Sequence, residues 1–177
     1  QSIGAANTRL LHELATSSDH RVRAAAVRVV TDWQDTLQSD GIDYLQAAVE
    51  DEHPQVRLEG VCALGKIPSR QAAEFAIHAL DQPMDRFLDF ALWRTMRELE
   101  SYWLPDVMKG ELVFEGNIDY LTFALKAVDS PAVVAPLLQL VTDNKVAKDR
   151  MPDVLRLIAT LGGPKELGQV FTLATDE

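Results

Sequence analysis

Histidines are the first side chains to consider for chemistry in this sequence. The four histidines are His12, His20, His53 and His78. None stands four residues from another, none lies in a His-Glu-x-x-His pattern, and the sequence holds no Cys-x-x-Cys pair. The spacing therefore predicts no zinc site. His20 and His53 fall at turns that precede helices, a position typical of capping or exposed residues.

Carboxylates, a thiol and a glycine pair are the other candidates for catalysis. Asp51/Glu52 and Asp85/Asp89 could act as paired carboxylates, but we interpret both pairs as solvated. Cys62 has no neighbouring base and lies among apolar helix residues, which predicts a small buried filler. Gly162-Gly163 ends a helix, because no phosphate-loop pattern follows it. We therefore expect no enzyme activity and no cofactor.

Composition narrows the classes of partner. The 177 residues are 47% hydrophobic and 25% charged, with a formal net charge of −10. This acidic balance disfavours nucleic acid, whose phosphates need clustered Lys and Arg. No apolar run is long enough to cross a bilayer, so we expect no membrane insertion. The chain starts at Gln1, and we expect one domain over residues 1–177 that is a fragment of a longer protein.

A repeated motif organises the first half of the chain. Val22-Arg23 recurs as Val56-Arg57 (56 − 22 = 34). The second copy lies in residues 51–65, where a polar turn, a proline, an apolar run and a glycine follow each other. A fixed period of this size predicts a solenoid of stacked helix pairs. We expect each arginine to reach a turn carboxylate or carbonyl of its own or an adjacent repeat, with turn aspartates such as Asp51 as partners.

Hydrophobic periodicity predicts about ten or eleven helices and no strand. Pro54 marks a helix start, and residues 39–41 mark a break before a third helix. The period fails in residues 101–116, where we expect a short extra helix and a brief extended piece at residues 112–114. The predicted fold is all-α: a right-handed α-solenoid of about four to five antiparallel helix pairs with this irregular insertion.

Aromatic residues are concentrated near the insertion. Eight of the twelve Phe, Trp and Tyr residues fall between Phe87 and Phe123. They either fill a gap beside the insertion or form an exposed patch that binds a protein, since Trp and Tyr are favoured anchors. The second alternative predicts protein-binding residues at Trp93, Tyr102, Trp103 and Phe114.

Two resemblances rest on these motifs. The turn-proline-Val-Arg-Ala-Leu-Gly pattern resembles HEAT repeats, a family of armadillo-like helical solenoids. Residues 87–105, with residues 110–112 and 121–128, resemble the HEAT region of large bacterial membrane-bound-dehydrogenase-type proteins. That resemblance implies a middle module between a β-propeller and a c-type cytochrome, in an exported or periplasmic protein. The sequence holds no Cys-x-x-Cys-His and no propeller repeats, so haem binding and dehydrogenase activity do not carry over.

These observations favour a non-catalytic scaffold that binds proteins or holds neighbouring domains of the same chain, such as redox modules. Two alternatives remain. One is a HEAT-type enzyme, such as a bilin lyase, which needs a roomy pocket with a convergent acid or histidine; a DNA glycosylase of this type conflicts with the negative charge. The other is a structural spacer with no partner. The sequence leaves the oligomeric state open.

Overall fold

The computed structural model describes residues 8–33, 37, 39–109, 111, 113–128, 134–143, 146, 148, 151–165, 167–168 and 171. These residues form helices and turns and contain no strand. Within them, ten α-helices follow one another: α1 Thr8–Ala15, α2 His20–Asp32, α3 Ser39–Val49, α4 Pro54–Leu64, α5 Arg70–Ile77, α6 Arg86–Glu98, α7 Glu100–Lys109, α8 Ile118–Val128, α9 Val134–Thr142 and α10 Met151–Leu161. The all-α prediction is confirmed.

The chain divides into two compact units, Gln1–Tyr102 and Trp103–Glu177, and the division falls within α7. In the first unit, α2 contacts α4 and α4 contacts α6, so these three helices form one layer. α1 packs on α2, α3 packs on α2 and α4, and α5 packs on α4 and α6. In the second unit, α10 contacts both α8 and α9. That all 177 residues act as one domain of a longer protein stays a prediction.

Side-chain caps fix where the layer helices begin. The Asp19 carboxylate accepts a hydrogen bond from the Arg21 N–H at 2.9 Å, which caps α2. His53 Nδ1 accepts from the Gln55 N–H at 3.2 Å and caps α4, whose first residue is Pro54. Both caps satisfy donors that the first helical turn leaves unpaired. The predicted helix start at Pro54 and the turn position of His53 are confirmed.

Close packing of α3 against α4 depends on a glycine. A Cβ atom at Gly60 would lie 3.0 Å from the Val49 backbone nitrogen and 3.1 Å from the Ala48 Cβ. Backbone cannot withdraw as a flexible side chain can, so a larger residue would push the helices apart. Val56 and Leu64 are buried on the same side of α4, as predicted for its inner face.

The repeated arginines bind the turn of their own repeat in the same way. Arg23 Nη1 donates to the Ser17 and Ser18 carbonyls at 2.9 and 3.3 Å. Arg57 Nη1 donates to the Asp51 and Glu52 carbonyls at 2.8 and 3.0 Å. Ser17 and Asp51 are separated by the same interval as the two arginines. The predicted contact between arginine and turn is confirmed.

The two arginines differ in how they reach the following repeat. Arg23 Nε and Nη2 form a two-pronged ion pair with the Asp51 carboxylate at 2.6 and 2.8 Å. Arg57 Nη2 reaches only the Pro83 carbonyl, at 2.8 Å, and its buried Nε has no hydrogen-bond partner among the described residues. Asp51 and Pro83 each lie two residues before the cap of the next layer helix, His53 and Asp85. Proline thus occupies the place where the preceding repeat supplies a carboxylate.

We expect Pro83→Asp to raise the free energy of unfolding by about 1 kcal/mol. A carboxylate there would pair with Arg57 Nε, and this charged hydrogen bond outweighs the lost rigidity of proline. Urea unfolding measures the change. Pro68→Asp is the matched control, because this proline is also exposed and lies in the turn between α4 and α5. Equal shifts in the two variants would contradict the prediction.

The Arg23–Asp51 pair also predicts a pH dependence. Burial alone would raise the pKa of Asp51, but its hydrogen bonds with Arg23 and the His53 N–H outweigh burial and hold the pKa below its ordinary value of 3.8. A carboxyl whose pKa is lowered by folding stabilises the protein fully above its unfolded pKa, and this contribution is lost as pH falls through the folded pKa. We therefore expect Asp51→Asn to destabilise the protein at pH 7, and the difference from wild type to shrink below about pH 4. Urea unfolding at both pH values tests this, and a difference independent of pH would contradict it.

Two local predictions are wrong. Residues 39–41 do not break a helix: they open α3, because Ser and Asp suit the first turn of a helix. The second wrong prediction is the extended piece at residues 112–114, because Phe114 is not extended. Phe114, Glu115 and Gly116 adopt left-handed backbone angles, with φ of 50°, 55° and 70°, and form a 3₁₀ turn. Val113 is extended, and Leu112 lies outside the described residues.

Candidate protein-docking surface

Helix α6 presents two chemically different faces. The Asp85 carboxylate caps it by accepting from the N–H groups of Phe87 and Leu88 at 2.8 and 2.9 Å. The Leu88 and Phe87 N–H groups lower the pKa of Asp85, which keeps the cap charged. The predicted apolar stripe is buried; its members are Leu88, Ala91, Leu92, Thr95, Met96 and, just past the helix end, Leu99.

The opposite face of α6 carries three exposed aromatic side chains. Phe87 is 58% exposed, Phe90 61% and Trp93 38%. Their spacing of three residues places them along one side of the helix. We call Phe87, Phe90 and Trp93 the α6 aromatic face. Large apolar residues grouped on a surface mark interaction sites more often than scattered ones do.

Ring contacts and arginines give this face a defined geometry. The Phe90 and Trp93 rings stack with centroids 6.0 Å apart and planes 19° apart. The Arg86 guanidinium lies 4.6 Å from the Phe87 ring, and that of Arg97 lies 4.8 Å from the Trp93 ring. Such cation–π contacts hold a positive charge beside each aromatic surface. The face therefore offers apolar area flanked by cations.

The four predicted binding residues do not form one surface. Trp93 and Tyr102, which is 42% exposed, lie at the surface. Trp103 and Phe114 are buried, with ring centroids 5.3 Å apart, so the prediction that they form part of an exposed patch is wrong. Their burial follows the other alternative, in which the aromatics fill space beside the insertion. Whether Trp93 and Tyr102 bind a protein stays a prediction.

Phe87 and Phe90 were missing from the predicted binding residues. Both belong to the aromatic cluster of the sequence, but their type alone does not separate buried from exposed. Their positions relative to Leu88 and Leu92 contain the missing signal. Because the apolar stripe of α6 is complete without them, helical spacing places both rings outside it.

Two of the candidate histidines have structural roles. The His20 and His53 rings stack with centroids 3.5 Å apart, and His53 also caps α4. Cys62 lies on an exposed side of α4, which contradicts the prediction of a buried filler. Partial burial of the thiol, and then the Glu59 carboxylate, raise the pKa of Cys62 and so disfavour the reactive thiolate. Among the described residues, no three His, Cys, Asp or Glu side chains are grouped so as to hold a metal ion.

A cavity of about 170 Å³ lies among α1 to α4. Its lining is mainly alanine and valine. The polar residues of the lining are His12, Thr16, Tyr44 and the Arg23–Asp51 pair. Ligand sites are usually about 300–1,000 Å³. The Asp51 carboxylate is already engaged by Arg23. His12 lines the cavity, but the cavity is smaller than such sites. It therefore gives no support to an enzyme that needs a roomy pocket with a convergent acid or histidine.

No helix in the described part of the chain is both long and apolar enough to cross a membrane. The family model for HEAT repeats matches residues 7–92, which include α1 to α5 and the first half of α6. We call residues 7–92, which are similar to HEAT repeats, the HEAT-repeat segment. The HEAT fold class predicted from the Val-Arg motif is thereby confirmed.

HEAT repeats generally serve as protein-interaction scaffolds. The first part of the α6 aromatic face, Phe87 and Phe90, lies inside the HEAT-repeat segment, and Trp93 follows its last residue. No curated protein matches the chain. The resemblance to the dehydrogenase-type proteins therefore stays a prediction.

Proposed function

We propose that this protein is a non-catalytic HEAT-repeat scaffold that binds a protein through the α6 aromatic face. The observation that carries the proposal is the exposure of three aromatic side chains in one row on a helix whose core-facing side is already complete. Aromatic residues and arginine are the residue types that dominate binding energy at protein interfaces. Both occur here, since Arg86 and Arg97 flank the rings.

The resemblance to the dehydrogenase-type proteins predicts a more specific partner, namely a neighbouring domain of a larger protein. Residues 87–105 carry both that resemblance and the α6 aromatic face. If the chain is the middle module of a redox protein, the face would hold a redox module in place. A pure spacer would need no exposed aromatic row, so the row favours binding over that alternative.

Site-specific crosslinking tests the proposed function. A photoreactive phenylalanine analogue at position 90 should crosslink to a discrete protein or domain when the chain is expressed in its native host. The same analogue at Gln71, an exposed position on α5, is the matched control and should not. The product should disappear when Phe87 and Trp93 are both replaced by serine. Equal crosslinking from both positions, or none, would contradict the proposal and favour the spacer.

A further inference from the structure

The cavity among α1 to α4 has an apolar interior and a polar mouth, and it lies wholly within the first unit. We call it the first-repeat cavity. Two of its polar residues, His12 and Thr16, are exposed, and Tyr44 is half-buried. The interior is formed by buried apolar residues: Ala26, Val27, Val30, Ala48 and Val56.

A difference between the first two helix pairs explains why this space exists. Ala26 of α2 and Gly60 of α4 occupy the same position in the repeat (60 − 26 = 34). At Gly60, α4 lies so close to α3 that an added Cβ would be 3.0 Å from the Val49 backbone nitrogen. Ala26 carries that Cβ, so α2 cannot approach α1 as closely. Ala15 of α1 corresponds to Val49 (49 − 15 = 34), and both Ala15 and Ala26 line the cavity.

The size of the cavity limits its ligand to about one ring. The volume is about 170 Å³, and an apolar cavity of about 150 Å³ is large enough to bind benzene. Water gains few hydrogen bonds beside alanine and valine, so its replacement by an apolar group is favourable. The cavity therefore suits a single-ring molecule and excludes a ligand of several rings.

The charged residues of the lining favour a neutral ligand, because they are already paired with each other. Arg23 Nε and Nη2 bind the Asp51 carboxylate at 2.6 and 2.8 Å, and Arg23 Nη1 donates to two carbonyls of its own turn. The Asp51 carboxylate also accepts from the His53 N–H at 2.8 Å. A charged ligand would find no free opposite charge here, and burial of an unpaired charge is costly.

The polar residues at the mouth favour one hydroxyl group on the ligand. The Tyr44 hydroxyl and the His12 ring have no hydrogen-bond partner among the residues that the structure describes. Thr16 Oγ1 already donates to the His12 carbonyl at 2.8 Å, so towards a ligand it acts as an acceptor. A hydroxyl group both donates and accepts, and it can therefore bind any of these three side chains.

We propose that the first-repeat cavity binds a small neutral phenol, with its ring among the alanines and valines and its hydroxyl group at the mouth. The bound ring would contact all four helices and so stabilise the first two helix pairs against separation, because a ligand that binds only the folded state favours that state. This inference goes beyond the proposed function and does not involve the α6 aromatic face.

Calorimetric titration of the full chain with phenol tests the inference. We expect a Kd on the order of 1 mM, which is attainable for a ligand of about seven non-hydrogen atoms. Benzoate has the same ring with a charged group and should bind at least about tenfold more weakly. In NMR spectra, phenol should shift the methyl signals of Val27 and Val30. Absence of phenol binding at about 10 mM, or equal binding of benzoate, would overturn the inference.

Two substitutions in the lining test the location of the site. Ala47→Trp covers the mouth from an exposed position, which the fold should tolerate, and Ala26→Leu fills the interior. Each should weaken phenol binding at least about tenfold. Gln71→Trp is the matched control, because it adds the same side chain at an exposed position of α5 outside the lining, and it should leave binding unchanged. Phenol binding that survives Ala47→Trp would overturn the inference.

Toluene tests the role of the hydroxyl group, since it carries a methyl group in its place. Tyr44→Phe combined with His12→Leu should weaken phenol binding about threefold or more and leave toluene binding unchanged, because only phenol loses a hydrogen bond. Equal changes for the two ligands would show a cavity that selects only for apolar surface. That result would overturn phenol as the ligand class.

Discussion

Replacing Trp103 with alanine should destabilise the second unit by about 3–5 kcal/mol, the usual cost of truncating a fully buried aromatic residue. The Trp103 side chain is 0% exposed, and its ring packs at an angle of 54° on Phe114. The variant loses this ring contact, which is worth about 0.5–1.5 kcal/mol, and leaves a cavity as well. Hydrogen exchange of the α8 amides reports the loss within this unit.

Tyr102 supplies the control for Trp103. The two residues are adjacent in α7, but Tyr102 is exposed and Trp103 is not. We expect Tyr102→Ala to change the free energy of unfolding by no more than about 0.5 kcal/mol, as is usual for surface positions. Similar exchange rates in the two alanine variants would contradict the burial of Trp103.

The second large effect concerns Arg57, a cation that is only 2% exposed. We expect Arg57→Met to destabilise the first unit by about 3 kcal/mol, because the guanidinium donates to three carbonyls and hydrogen bonds from charged groups are stronger than neutral ones. The carbonyls are those of Asp51, Glu52 and Pro83. Methionine has a similar length but no donor, so these acceptors would lose their partner. Urea unfolding measures the loss. The slope of the free energy of unfolding against urea concentration is compared between the variant and the wild type.

Arg28 is the matched control for Arg57. It also links two layer helices, by its pair with Glu59, but its side chain is exposed. Exposed ion pairs contribute about 0.2–1 kcal/mol, so Arg28→Met should cost no more than that. Arg57→Lys should cost less than Arg57→Met because lysine keeps the positive charge. It should still destabilise the protein, because a lysine ammonium cannot bind both turns as the forked guanidinium does. A loss at Arg57 no greater than that at Arg28 would show that the turn contacts are dispensable.

Much of the first unit could be predicted because its signals are local and repeated. A proline at the first helical position, capping residues before apolar runs and a Val-Arg pair at a constant interval each favour one structure without reference to distant residues. The repeat also predicted the partner class of Arg23 and Arg57. It could not predict that Pro83 would replace a carboxylate, since only the contact itself shows which residue faces the arginine.

The candidate site was harder to predict because exposure depends on what packs around a helix. Tyr102 and Trp103 are neighbours of similar type, and the rotation between successive helical residues separates surface from core. Phe114 shows a second reason. Its left-handed backbone is unusual for a bulky residue, and no local preference indicates it; the buried ring beside Trp103 stabilises a conformation that the sequence disfavours.

The replacement of a carboxylate by Pro83 has a consequence for how the repeats unfold. In a stack of repeats, the coupling between neighbours decides which helices open together. The turn before α4 is tied to α2 through a charged two-pronged pair, whereas the turn before α6 is tied to α4 through one backbone carbonyl. Under mild denaturation, the boundary of partial opening should therefore fall between α4 and α6, so that the helix with the aromatic face detaches while α1 to α4 remain folded.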